Sequence, residues 1–322
     1  MIDHHFNATM NTEPLSNLIQ GILEKDKRAL ARAISLVENQ DAQADGLLTA
    51  LYGRTGQAYL VGITGAPGTG KSTLVNQIAR RYRTQGTRVG ILAVDPSSPF
   101  TGGALLGDRI RMQDLAGDPG VFIRSMATRG ALGGLSAATF DAALILDAAG
   151  YETILIETVG AGQNEVDIAR LADTVIVVEA PGLGDEVQAG KAGLAEIADI
   201  WVVNKADREG ADRTASLIEA MLELAPPADW LPPVCKTVAT LGNGVDEVVT
   251  QIERHRQYLH AHHKRQIKVK IRAEQRLKEQ LQAALLERCL AKIEPEQWQN
   301  ILDRLVARQI TPHHALSMLI EN

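Results

Sequence analysis

Gly65-Ala66-Pro67-Gly68-Thr69-Gly70-Lys71-Ser72, with Thr73 behind it, fills every fixed position of the pattern GxxxxGK[ST] between an apolar run and a helical one. Such a loop suits a polyphosphate: small residues let the backbone wrap the anion, so that successive N–H groups and the next helix's N-terminus point at its oxygens. Lys71 brings a positive charge to the β- and γ-phosphates, and the Ser72 hydroxyl is a ligand for magnesium. Further on, Trp201-Val202-Val203 ends in Asn204-Lys205-Ala206-Asp207, an NKxD sequence. A carboxylate at Asp207 accepts from both guanine N1–H and the exocyclic amine, whereas adenine presents an acceptor at N1 and would leave it unpaired. Asn204 is expected to brace the base pocket, and the Lys205 alkyl stem to lie along the purine face. Together the two motifs point to GTP and GDP with Mg2+.

Three more carboxylates have the position that magnesium and hydrolysis require. Asp95 closes the apolar run before Pro96, and Glu157 closes Thr153-Ile154-Leu155-Ile156 and opens an ExxG sequence ending at Gly160. Carboxylates at the carboxyl ends of parallel strands face the phosphate crevice. Many GTPases place Asp where this chain has Glu157, and the longer side chain suggests contact through a metal-bound water or with the attacking water; Gly160 would let a backbone N–H meet the γ-phosphate. Asp108 follows a Gly-rich stretch from Ser97 to Gly107, of a kind that orders around magnesium and γ-phosphate. The expected metal set is Ser72, Asp95, Asp108 and Glu157.

These groups need a scaffold that brings strand ends to one edge, and the apolar pattern describes one. Strand candidates at 59–64, 89–94, 121–124, 153–157, 174–178, 199–204 and 234–237 alternate with helical segments. Near-continuous apolar strands such as Thr174-Val175-Ile176-Val177-Val178 are what a sheet buried on both faces requires. The expected fold class is therefore α/β, a P-loop NTPase with a mostly parallel sheet covered by helices on both faces, plus N-terminal and C-terminal helical extensions. The domain expectation is an N-terminal helical extension over 1–55, a GTPase domain over 56–260 and a C-terminal helical arm over 261–322. Asp26 is placed to cap a helix in the first, and Thr311-Pro312 to start one in the last.

A chain of 322 residues, 45% hydrophobic and 22% charged, fits one such domain with appended helices. A net charge of -6 gives no reason to expect nucleic acid or an anionic membrane as partner. With no long apolar run and no secretory signal pattern at the start, a cytoplasmic protein is expected. Cys235 and Cys289 lie far apart and read as reduced core residues. His255, His260, His262 and His263 invite a metal reading, but no cysteine or carboxylate pair accompanies them, and structural or solvated histidines are expected.

The runs GITGAPGTGKST, AVDPSSPFTGGALLGDRIRM, IRSMATRGALGG, ILIETVGAGQNEVDIA, GLGDEVQAGKAG and NKAD closely resemble the MeaB/ArgK family of P-loop GTPases, chaperones of adenosylcobalamin-dependent acyl-CoA mutases. The resemblance spans nearly the whole chain and weakens in the C-terminal helices. It implies a homodimer with a C-terminal dimerisation arm, slow intrinsic GTP hydrolysis, and an acyl-CoA mutase as partner, usually methylmalonyl-CoA mutase, with a cobalamin adenosyltransferase as a further partner. It assigns Lys71, Asp108, Glu157 and Gln163 to catalysis. It also makes Asp185, Gln188 and Lys191 part of an additional switch that relays nucleotide state to the mutase. The chain departs from the family at Arg109, where lysine is usual; at Val238-Ala239, where Ser-Gly or Ser-Ala usually meets the guanine; and at Gly190 and Ala192. The Ala239 backbone N–H is still expected to reach the base oxygen. Two other classes stay open: a nickel-type metallocentre-insertion GTPase, and an ATP-dependent kinase, the activity behind the older ArgK naming.

Overall fold

The computed structural model describes residues 14–96, 115, 117–128, 137–158, 164–182 and 188–320, with the backbone alone at 95–96, 127–128, 164–166, 188–192 and 320. The chain divides into two compact units, one ending at Lys268 and the other beginning at Val269.

The first unit is built on seven strands: β1 (Tyr59–Thr64), β2 (Val89–Pro96), β3 (Val121–Thr128), β4 (Thr153–Thr158), β5 (Thr174–Glu179), β6 (Ile200–Asn204) and β7 (Val234–Thr237). They form one sheet in the order β3-β2-β4-β1-β5-β6-β7, and every pairing is parallel. Each strand expected from the apolar runs is present. β3 continues to Thr128 rather than stopping near 124, because pairing with β2 from Val89 to Pro96 carries it past the point where its apolar pattern fades.

Side chains alternate across the sheet, so both faces are apolar. Val61, Ile63, Leu155, Ile176 and Val202 pack with Leu74 and Ile78 of α4 (Lys71–Thr84) and with Val248 and Ile252 of α9 (Val245–Ala261). Ile154, Ile156, Val175, Val177 and Trp201 pack on the other face. That face is covered by α1 (Leu15–Leu23), α2 (Lys27–Glu38), α3 (Ala44–Tyr52), α5 (Ala137–Ala148), α6 (Asn164–Leu171), α7 (Gln188–Ile197) and α8 (Ala211–Glu223). Asp26 caps α2 by accepting from the Ala29 N–H at 2.7 Å. The Asp147 carboxylate holds the entry into β1 by accepting from the N–H groups of Gly56, Gln57 and Ala58.

Beneath the sheet, opposite the strand ends that carry the motifs, the first turn of α10 (Lys264–Leu290) is tied to the domain: Arg265 donates to Ala58 O at 2.5 Å and Lys268 to Asp173 O at 2.7 Å. Here His255 is 1% exposed, its Nδ1 2.8 Å from Thr174 Oγ1 and its Nε2 3.3 Å from Asp199 Oδ1, with Trp230 4.7 Å away ring to ring. It is a core histidine, whereas His260, His262 and His263 are exposed. Burial, reinforced by the Lys268 charge and opposed by Asp173, lowers its pKa from 6.5 to about 3. The unfolded chain therefore takes up a proton below pH 6.5 that the folded chain refuses, and His255 costs stability progressively as pH falls from 6.5 toward about 3. Unfolding free energy measured across this range should fall by up to about 1.4 kcal/mol per pH unit of acidification on its account. His255→Gln should flatten that slope. Asp199, whose pKa is raised by burial, works with the opposite sign. An unchanged slope in the variant would remove His255 as the cause.

The second unit contains the rest of α10 with α11 (Pro295–Val306) and α12 (Pro312–Ile320). Pro295 opens α11, and Thr311 Oγ1 accepts from the His314 N–H to start α12. A small core of Ile301, Ile310 and Ala315 holds α11 and α12. α10 has no buried residue and exposes Ile271, Leu277, Leu281 and Leu285. Cys235 is buried in the sheet, but Cys289, expected in a core, is exposed on α10. Among the described residues no helix is long and apolar enough to cross a membrane.

Candidate nucleotide site

β1 delivers its last residue, Thr64, into the glycine-rich loop, and α4 leaves from the loop's far end. Two glycines make the loop possible. Gly65, at φ +138°, lies so close to β5 that a Cβ would stand 2.1 Å from Val178 O. Gly70, at φ +95°, would place a Cβ 2.3 Å from Asn204 Nδ2. Only a residue without a side chain fits either position. No side chain caps α4 at Gly70, so its first N–H groups remain available to an anion.

Lys71 is 6% exposed and folds back over the loop, donating to Gly65 O at 2.8 Å and Ala66 O at 3.0 Å. Ser72 donates its hydroxyl to Glu157 Oε1 at 2.6 Å. This contact is the outcome of strand order. β4 lies directly beside β1, Ile63 stands opposite Glu157, and the carboxylate reaches the first turn of α4. A buried hydroxyl beside a buried carboxylate is an oxygen donor set that suits a hard divalent cation. Thr73 follows, half-buried, in the same turn, while Pro67 and Gly68 lie exposed at the loop's crest.

At the end of β6, Asn204 ties three segments together. Its Nδ2 donates to Thr69 O at 2.8 Å, while its Oδ1 accepts from Thr237 Oγ1 and from the Ala239 N–H, both at 3.0 Å. Lys205 turns the chain at φ +57° and extends its ammonium to Gly68 O at 2.6 Å. Asp207 stands exposed on the turn that follows, and Val238, the residue after β7 and before Ala239, is half-buried. A phosphate loop, a buried hydroxyl–carboxylate pair and an NKxD turn thus occupy one edge of one sheet.

A family model described as Methylmalonyl Co-A mutase-associated GTPase MeaB matches residues 30–294. The chain belongs to the MeaB family. A putative GTPase of Pyrococcus abyssi is 48% identical over 311 residues, 95% of this chain and 96% of its own length. GTPase ArgK of Escherichia coli is 37% identical over 248 residues, 74% of this chain and 75% of its own. Among solved structures, a crystal structure described as LAO/AO transport system kinase matches with a TM-score of 0.73 at 27% identity, covering 97% of this chain and 98% of that one. As a MeaB-family protein the chain is a GTPase and binds guanine nucleotide.

In this MeaB-family chain the described structure brings together Gly65 to Thr73, Glu157, Asn204, Lys205, Asp207, Val238 and Ala239 at the carboxyl edge of the sheet. Asp95 lies on the backbone of β2 opposite Ala127. Gln188 and Lys191 lie on the backbone of α7. Asp108, Gly160, Gln163, Asp185 and Arg109 lie outside the described residues. The Ala239 N–H, expected at a base oxygen, is held by Asn204 Oδ1. Sequence reasoning passed over Thr237, whose hydroxyl fixes the orientation of Asn204, and the pair Thr64 and Thr158. Their signal in the sequence is faint: each is a hydroxyl at the last residue of its strand.

Proposed function

We propose that this GTPase is a chaperone of an adenosylcobalamin-dependent acyl-CoA mutase of methylmalonyl-CoA mutase type, gating cofactor loading and protecting or reactivating the mutase. The match of residues 30–294 to the mutase-associated family carries this reading. In it, Asp207 takes the guanine edge, Asn204 and Lys205 hold the pocket against the phosphate loop, and the amides of Gly65 to Ser72 cradle the phosphates. Lys71 leaves the carbonyls of Gly65 and Ala66 to meet the β- and γ-oxygens. Ser72 and Glu157 are the residues to hold Mg2+, with Asp95 and Asp108 completing the acidic set. Bound magnesium supplies charge neutralisation to the phosphates. Gly160 and Gln163 are the second-switch residues for γ-phosphate and attacking water. Asp185, Gln188 and Lys191 form the contact to the mutase.

The domain division is 1–55, 56–260 and 261–322, and the protein works in the cytoplasm as a homodimer. The apolar row Ile271, Leu277, Leu281 and Leu285 on α10 supports a dimerisation arm. A cobalamin adenosyltransferase is a further partner.

A slow GTPase whose switches are incompletely ordered is accelerated when a partner orders them, because binding then meets the ordering cost. The test is steady-state GTP hydrolysis with and without purified apo-mutase. Gln188→Ala and Lys191→Ala are expected to keep unassisted turnover and lose most of the mutase-dependent acceleration. Full acceleration in both variants would place the signal elsewhere, and no acceleration of the unmutated protein by any cobalamin-dependent mutase of its host would remove the chaperone reading.

A further inference from the structure

At the ends of four adjacent strands, one row of side chains crosses the sheet on the face turned away from α4. Register sets Val94 of β2 beside Thr158 of β4, and Thr64 of β1 beside Val177 of β5; β4 and β1 are neighbours, with Ile63 opposite Glu157 one residue earlier. The row therefore reads Val94, Thr158, Thr64, Val177, and all four are buried, from 0% to 2% exposed. Threonine has the shape of valine, so the hydroxyls are what distinguish the two central positions from the flanking ones. Thr158 Oγ1 donates to Thr64 Oγ1 at 2.9 Å. Two hydroxyls in an apolar layer are costly to bury unless they satisfy each other, and a satisfied buried pair restricts the geometry around it.

The position of the pair is informative. Thr64 is the residue before Gly65, where the phosphate loop begins, and Thr158 the residue after Glu157, where the segment containing Gly160 and Gln163 begins. Because side chains alternate along a strand, Glu157 points toward α4 and Ser72 while Thr158 points to the opposite face. The hydroxyl pair thus joins the root of the glycine-rich loop to the root of the segment that follows Glu157, from the face opposite α4 and Ser72. We propose that Thr158, acting through Thr64, is a positioning residue for GTP hydrolysis: the bond fixes the spacing of the two strand ends and so keeps Glu157 in register with Ser72 in the transition state.

The measurement is single-turnover GTP hydrolysis by the full chain, beside GTP affinity and melting temperature, in Thr158→Val, Thr64→Val, the double variant and Thr158→Ser. Valine keeps the shape and removes the hydroxyl. Hydrolysis should slow about tenfold in either valine variant, the rate equivalent of one well-made hydrogen bond, while GTP affinity stays within about twofold. The double variant should be no slower than the singles, since both act through one bond. Thr158→Ser should keep the rate within about threefold of the unmutated chain. A role in folding alone would move the melting temperature and leave the rate of the bound complex unchanged, with no rescue by serine, and that result overturns the proposal. So does a loss of affinity that matches the loss of rate. Thr64→Val reads the same bond from the other strand, so the outcome does not hang on one variant folding.

Discussion

Lys71→Ala is expected to weaken binding of GTP by about 2–5 kcal/mol, from some thirtyfold to several thousandfold, because the phosphates lose a charge partner in a largely desolvated loop. The fold should survive. The ammonium donates to two carbonyls, Gly65 O and Ala66 O, and the second keeps the Thr69 hydroxyl at 3.0 Å after the substitution. Loss of one net hydrogen bond costs about 1 kcal/mol, which in a domain of this size lowers the melting temperature by only a few degrees. Calorimetric titration with GTP, paired with a melt, reads both quantities. Unchanged GTP affinity would mean that the loop does not bind triphosphate.

Asp207→Asn should weaken GTP roughly a hundredfold and move preference toward xanthine nucleotides. The carboxylate has two guanine donors to meet, N1–H and the exocyclic amine. The asparagine amide repels that amine with its own N–H2 but can donate to the carbonyl that xanthine carries in its place. Since Asp207 is exposed and only follows the Asn204 hub, the change should leave stability nearly untouched. Competition of GTP, xanthosine triphosphate and ATP for the unmutated and variant proteins separates the outcomes. Equal binding of ATP and GTP by the unmutated chain would defeat the base assignment, and with it the difference between this GTPase and a kinase.

The parts of the site legible in the sequence are those whose chemistry is local. The phosphate loop is nine consecutive residues from Gly65 to Thr73, and Gly65 and Gly70 are required by the close approach of Val178 and Asn204 from neighbouring strands. NKxD is likewise contiguous. The strands announced themselves because burial on both faces demands unbroken apolar runs, and α2 because Asp26 caps it from within the same turn. Where a segment is stabilised by a neighbour instead, the pattern fades: β3 extends to Thr128 on the strength of its bonds to β2, and the exposure of Cys289 depends on what covers α10.

The sequence by itself determined the nucleotide chemistry and the sheet that must present it, because residue type, spacing and apolar period are properties of the chain taken in order. Strand order is not such a property. β4 enters the sheet between β2 and β1 after a long excursion, and only that insertion sets Glu157 on Ser72, 85 residues away, and Thr158 on Thr64, 94 residues away. The same holds for Asn204, which bridges Thr69 and Ala239 from the end of β6, and for His255, which burial and the Lys268 charge keep neutral while Thr174 and Asp199 on other elements meet its ring nitrogens. Register and crossover bring such groups within hydrogen-bonding distance, and no local periodicity encodes them.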